Sequence, residues 1–294
     1  MCIAFERWDF RTADAVSALI GDAWVKRHVE RLYVVNQDDI GRGLLPGCHV
    51  SLVPSLIDHR IHVPAGYART YNHVEPQGEG GGEGSPLLFS FRGTDLSHAV
   101  RRRMVETLRG DPLGRVTVIR QAFHSHDDVQ RRAYASEIHD SAFVLCPRGW
   151  SPTTYRLFET MSAARCPVII SDDWVPIPGI DWGGCSLRVA ERDIASIPQI
   201  LRERWSEAAA LGRAACAAWQ AHFSEAARFD RYLDAILALD ARRPAYTRQW
   251  SFHLARWRSL QFRWANGWTL PQRCGRGIKR IVNWPRRRAY TPAG

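Results

Sequence analysis

The sequence has little to staple it together and nothing of membrane-spanning length. Its seven cysteines, Cys2, Cys48, Cys146, Cys166, Cys185, Cys216 and Cys274, are odd in number, widely spaced and contain no C-x-x-C pair. That excludes a regular disulfide framework and a clustered thiolate metal site, and reads as reduced thiols. No apolar stretch reaches the ~18 residues of a spanning helix, and MCIAFERWDF carries charge where a signal peptide has its apolar core. The expected location is the cytoplasm, with at most a peripheral place on the inner face of a membrane. Metal patterns are missing too. His124, His126, Asp127 and Asp128 crowd one loop but have no H-E-x-x-H or cysteine partner, and Ser171-Asp172-Asp173 is not a D-x-D, so no metal is expected. From Ala241 onward acidic residues vanish, against thirteen Arg and Lys. Removing those thirteen from the net charge of +10 leaves −3 for residues 1–240, so the basicity belongs to a tail.

What is present centres on Ser141 to Trp182. The short apolar run Ala142 to Cys146 reads as a buried strand and breaks at Pro147-Arg148-Gly149. Ser151 then Pro152 reads as an N-cap with proline at the first helical position, and Tyr155, Leu157, Phe158, Met161 and Ser162 follow at helical spacing. A second run, Pro167 to Ile170, completes a strand, helix, strand unit. Its strands should be parallel, with the loop after the first strand open to a ligand. A helix N-terminus flanked by Arg148 and Arg156 suits a phosphate or diphosphate. Glu159, three residues after Arg156, is either a ribose acceptor or half of an ordinary i,i+3 ion pair.

These residues resemble a known family. The run C-P-R-G, Thr154, Arg156-Leu157-x-Glu159, Cys166-Pro167-Val168-Ile169-Ile170-Ser171-Asp172 and Ile180-Asp181-Trp182 is similar to the signature of exostosin-type glycosyltransferases, over about residues 85 to 240. The resemblance implies an α/β, GT-B-like fold, with two Rossmann-like parallel-sheet domains facing a cleft, the first of them short. It also implies a nucleoside-diphosphate sugar, UDP- or GDP-linked, as donor substrate, no cofactor or obligatory metal, and inversion at the anomeric carbon. The donor would be held by Arg92, Gly93, Arg148, Gly149, Thr153, Thr154, Arg156, Glu159 and Asp181. Inversion requires a base for the acceptor proton, expected from the first domain, for which Asp58, His59 and Asp95 are the candidates.

With a prior of roughly 150 residues per domain, the expected units are an acceptor-side domain 1–112, a donor-binding domain 113–240 and a basic helical tail 241–294. Residues 11 to 30 should form a helix, Leu32 to Val35 a strand, and Val50 to Ile57 another apolar run broken by Pro54. Gln77 to Ser85, with five glycines, lacks the lysine and flanking pattern of a phosphate-binding loop. Leu87 to Phe91 is a strand ending at Arg92-Gly93-Thr94-Asp95. In the tail, Trp250, Trp257 and Trp264 recur every seven residues among Arg248, Arg256, Arg258 and Arg263, a basic amphipathic helix with an aromatic face. That face either meets an anionic membrane surface or packs on the body of the protein. The partners expected are a nucleotide-sugar donor and a glycan or lipid-linked glycan acceptor. Nucleic-acid binding through the tail and an inactive scaffold of glycosyltransferase shape are the rival readings.

Overall fold

In the computed structural model, the structure describes residues 2–6, 20–39, 43–67, 74, 84–120 and 127–265. The first sheet is built from four short strands, β1 (Cys2–Glu6), β2 (Leu32–Asn36), β3 (Gly47–His49) and β4 (His62–Pro64), parallel and in that order. Alternation along β2 sends Leu32 and Val34 to one face, Tyr33 and Val35 to the other. Leu32 and Val34 pack with Val25 and Val29, just before the strand, and with Trp257 and Phe262 from the tail. Tyr33 and Val35 pack against Tyr232, Ile236 and Leu239 of the Glu225–Arg242 helix. That helix therefore returns from the second half of the chain to cover the first sheet.

The second sheet holds β5 (Leu87–Gly93), β6 (Gly114–Val118), β7 (Ser141–Pro147), β8 (Cys166–Ile170) and β9 (Leu187–Arg188), all parallel in the order β6-β5-β7-β8-β9. Every residue of β7 is buried, as a strand covered on both faces requires. Pro167 sits inside β8, one residue before β9 joins at Val168, so its missing N–H takes little from the ladder. The Ala99–Leu108 helix buries Val100, Met104, Val105 and Leu108 against Phe89, Phe91, Phe143 and Leu145. Both sheets are parallel and clothed by helices, the second larger than the first, as the sequence leads one to expect.

Several expectations are corrected. The expected domain break at 112/113 fails because β5 is hydrogen-bonded between β6 and β7, so the chain passes between sheets after β4 and before β5. Val50 to Ile57 is not a strand: pairing stops at His49, and Leu56 and Ile57 donate to the Val53 carbonyl in a turn. The Ala23–His28 helix occupies only the end of the span expected at 11–30, and residues 11–19 lie outside the described residues. Ser151 and Pro152 do not begin the central helix, which runs Tyr155–Ser162 with Thr154 at its N-cap. The tail is not one helix but two, Trp250–Arg258 and Leu260–Ala265, separated at Ser259 in extended conformation.

That tail belongs to the first unit. Trp257 is 2% exposed and donates its indole N–H to the Leu44 carbonyl at 2.7 Å, while Arg256 donates to the carbonyls of Gly43 and Leu44. Of the two readings of the aromatic face, membrane or body, Trp257 takes the second: it lies inside the core, with Phe262 beside it in the same cluster. Trp268 lies outside the described residues. Among the described residues no helix is long and apolar enough to cross a membrane.

Candidate functional site

In an open parallel sheet the carboxyl ends of the strands are where a ligand meets backbone and loop side chains together. Here the ends of β5 and β7 bring Arg92, Gly93, Arg148 and Gly149 to the same edge, and the Tyr155–Ser162 helix adds Arg156 and Glu159. The helix is amphipathic in the wrong sense for a surface helix. Its polar residues Arg156, Glu159 and Thr160 are as buried as Leu157, Phe158 and Met161. Buried charge persists only where it is paired or awaits a partner.

Arg156 sits at the middle of this arrangement. Its guanidinium donates through Nη2 to the Arg92 carbonyl and lies 4.5 Å over the Phe91 ring and 5.6 Å from the Tyr134 ring. Its Nη1 is buried without a hydrogen-bond partner among the described residues. Gly93 makes room for it, since a Cβ there would lie 2.8 Å from Nη2. In the loop before the helix, the hydroxyl Oγ1 of Thr153 is likewise buried and unpartnered among the described residues. Glu159, 1% exposed, accepts from the Tyr134 hydroxyl at 2.6 Å, so it is not a solvated surface carboxylate. Tyr134 titrates well above its usual range because it is buried and faces the Glu159 carboxylate.

The other expected donor residues fare unequally. Arg92 pairs through Nη1 with Glu137 at 2.8 Å, leaving its Nε buried and unpartnered. Arg148 is buried but neutralised: Nη1 lies 2.5 Å from Asp173 and 3.7 Å from Glu191. It therefore fastens the β8 loop and the segment after β9, while its Nε is buried without a hydrogen-bond partner among the described residues. Gly149 packs against Arg101, whose Nη2 would be 3.0 Å from an added Cβ. Thr154 gives no side-chain cap, and its contribution is the extended backbone that starts the helix. Asp181 is exposed and caps the short Trp182–Cys185 helix, accepting from the Gly184 N–H at 3.2 Å.

Of the three candidate bases, Asp58 is clamped by Arg60 at 2.7 Å through both carboxylate oxygens. Burial raises its pKa, the Arg60 hydrogen bonds and charge outweigh this, and it ends below the ordinary carboxylate value, the wrong direction for a base. His59 is exposed on the same turn. Asp95 has a buried, unpartnered Oδ1, but the loop after β5 puts it on the second sheet and so on the donor side.

Two participants, Arg101 and Tyr67, were hidden in the sequence. Arg101, in what reads as a plain basic helix, donates to the carbonyls of Arg148, Pro147 and Thr94 and so ties the β5 and β7 loops together. Burial, then the nearby Arg156 charge, press its pKa down. Tyr67 stacks on Tyr155 with ring centroids 3.7 Å apart, and its hydroxyl donates to Asp39 at 2.5 Å. No periodicity flags these contacts, though the polar run Asn36 to Asp39 after β2 stands where α/β sheets carry ligands. Around Tyr67 the two units meet: His49, Val50, Leu52, Pro64 and Ala65 of the first face Pro152, Thr153 and Trp174 of the second across a gap of about 10 Å³, about one water's room.

The family model "Exostosin GT47 domain" matches residues 53–204, more than half of the chain. A probable glucuronosyltransferase of Oryza sativa subsp. japonica is 46% identical over 70 residues, 23% of this chain and 16% of that protein. An exostosin-1 homolog of Caenorhabditis elegans is 32% identical over 132 residues, 39% of this chain and 34% of its own length. The chain thus spans at most about a third of either relative. Among solved structures, TarM aligns over 80% of this chain and 50% of its own, at 9% identity and a TM-score of 0.44, and MurG of Acinetobacter baumannii over 81% and 71%, at 12% and 0.35.

Proposed function

The chain belongs to the Exostosin GT47 domain family, and from that premise we propose that it is a glycosyltransferase acting on a nucleoside-diphosphate sugar, with a hydroxyl of a glycan or lipid-linked glycan as acceptor. The observation that carries this reading is the buried Arg156 in the first turn of the helix after β7, with its Nη1 group unpartnered among the described residues. Leaving a buried guanidinium N–H unmade costs about 1–3 kcal/mol or more, and an anionic ligand returns it. Charge develops on the diphosphate as the glycosidic bond breaks. Donors fixed in advance at that place stabilise the transition state more than the ground state. Glu159, held by Tyr134, would accept from ribose hydroxyls, and Gly93 keeps the guanidinium's approach open.

The transfer proposed is inverting, in a single displacement with the acceptor oxygen opposite the leaving group. The relatives named as glucuronosyltransferases make UDP-glucuronic acid the first donor to try. Incubation with UDP-glucose, UDP-glucuronic acid, UDP-N-acetylglucosamine and GDP-mannose, followed by release of nucleoside diphosphate, tests the reading. Turnover of one of them is the expected result, and no binding and no turnover of any would remove it. Turnover is expected to persist in EDTA, since guanidinium groups can carry the charge stabilisation. Loss with EDTA and rescue by manganese would contradict that.

A further inference from the structure

We propose that Asp39 is the general base that takes the proton of the acceptor hydroxyl, an assignment that rests on the glycosyl-transfer reading above. Asp39 lies three residues past the end of β2, at the ligand-bearing edge of the first sheet. The loop that carries it is braced: the Asp38 N–H donates to the Asn36 side chain at 2.8 Å, and the Ser51 hydroxyl donates to the Asp38 carbonyl at 2.9 Å. Gln37 donates to the Gly66 carbonyl and to Tyr232. The carboxylate itself is oriented by the Tyr67 hydroxyl at 2.5 Å.

Tyr67 is what carries Asp39 to the donor side. Its ring stacks on Tyr155, the residue before Arg156, and meets Phe158 edge-on at 5.9 Å. Gly66, immediately before it, packs so closely that an added Cβ would lie 2.7 Å from Phe223 and 2.9 Å from Phe158. Asp39 also interacts electrostatically with Arg101, which donates to the carbonyls of Pro147 and Arg148 on the donor side. A first-unit carboxylate is thus tethered beside the start of the helix that holds Arg156. The alternatives are placed worse, with Asp58 paired to Arg60 and Asp95 on the donor sheet.

In the step assigned, a lone pair of the acceptor oxygen forms the bond to the anomeric carbon. The bond from that carbon to the diphosphate oxygen breaks with its electron pair going to the nucleoside diphosphate, and the acceptor proton goes to the Asp39 carboxylate. Hydrolysis, with water as acceptor, makes the same demand, so it serves as the assay.

Asp39→Asn is the informative variant because it is isosteric and its amide oxygen still accepts from Tyr67. A base lost in this way should lower kcat for hydrolysis of the donor found active by 100- to 10,000-fold. Nucleoside diphosphate affinity by calorimetry and the melting temperature should stay at wild-type values. Tyr67→Phe, which removes the hydrogen bond but keeps the stack, should lose less than 10-fold. An Asp39→Asn enzyme retaining a tenth or more of kcat would overturn the assignment, as would a Tyr67→Phe loss as large as that of Asp39→Asn, which would mark a structural pair. Wild-type protein that neither binds UDP or GDP nor hydrolyses any of the four nucleotide sugars defeats the glycosyl-transfer reading instead.

Discussion

At the scale of single residues, the site is built around charges that the fold has removed from water. Arg156→Ala removes the guanidinium held by the Arg92 carbonyl and the Phe91 ring. Nucleoside diphosphate affinity should fall by about 1.5–3 kcal/mol, a factor of roughly 10 to 150, measured by calorimetry. Because the side chain is buried, the melting temperature should fall as well. Gly93→Ala tests the same contact without touching the charge. Its Cβ would come within 2.8 Å of Nη2, so the guanidinium must move and affinity should drop while the net charge of the site is kept. Unchanged affinity in both variants would exclude Arg156 from donor binding. The buried histidines make a prediction about pH. Burial, helped by the Arg256 charge, depresses His49 to about 4, and burial with Arg243 depresses His253 to about 3. His62, buried beside Arg256, is lowered in the same direction. Protons then bind the unfolded chain first. The stability gained by keeping these rings neutral is fully present above about 6.5 and is lost as pH falls from there toward 4 and 3. His49 and His253 should each cost roughly 1.5 kcal/mol between pH 6.5 and 5, with His62 acting in the same direction, read as a falling denaturant midpoint.

Among the elements, the tail is the one whose role changed between sequence and structure. An aromatic heptad spacing fits a membrane face and a buried face equally well, since Trp suits both. The neighbours decide. Val25, Val29, Leu32, Val34, Leu44 and Leu45 form an apolar surface that Trp257 and Phe262 cover, and Arg248 pairs with Asp240 at 2.8 Å. Trp257→Ala should therefore destabilise the protein by about 3–5 kcal/mol, lowering the melting temperature by roughly 10 °C. Flotation with anionic vesicles should be insensitive to that substitution, because the indole is not available to lipid. A variant with normal melting and lost flotation would reverse the assignment. The central helix shows the opposite relation. Its boundaries moved by a few residues, from Pro152 to Tyr155, yet the residues brought to the site did not change.

For the whole molecule, the arrangement that matters is two parallel sheets with their ligand-bearing edges brought together by Tyr67, Val50 and the helix that crosses back to the first sheet. The sequence by itself determined the β7–helix–β8 unit at the centre of the second sheet. A short, β-branched apolar run such as Ala142 to Cys146, broken by Pro147-Arg148-Gly149, reads as a buried strand, and the loop and helix after it then lie at one edge, so Arg156 and Glu159 could be picked out from the spacing, whereas Arg92 and Gly93 came only with the family resemblance. Local chemistry also marked Leu32 to Val35 as a strand. What only the tertiary structure decided were the matters set by distant partners. Nothing near Arg148 in sequence announces Asp173 or Glu191, and a strand pattern does not say which sheet it joins, so β5 was misassigned. Glu159 was ambiguous until Tyr134, 25 residues earlier, supplied its partner. Asp39 became a candidate only when Tyr67 connected it to Tyr155 across the two units. The physical reason is common to all of these. Periodicity reports which side of an element avoids water, whereas the pairing of a buried charge is settled by the groups that folding places around it.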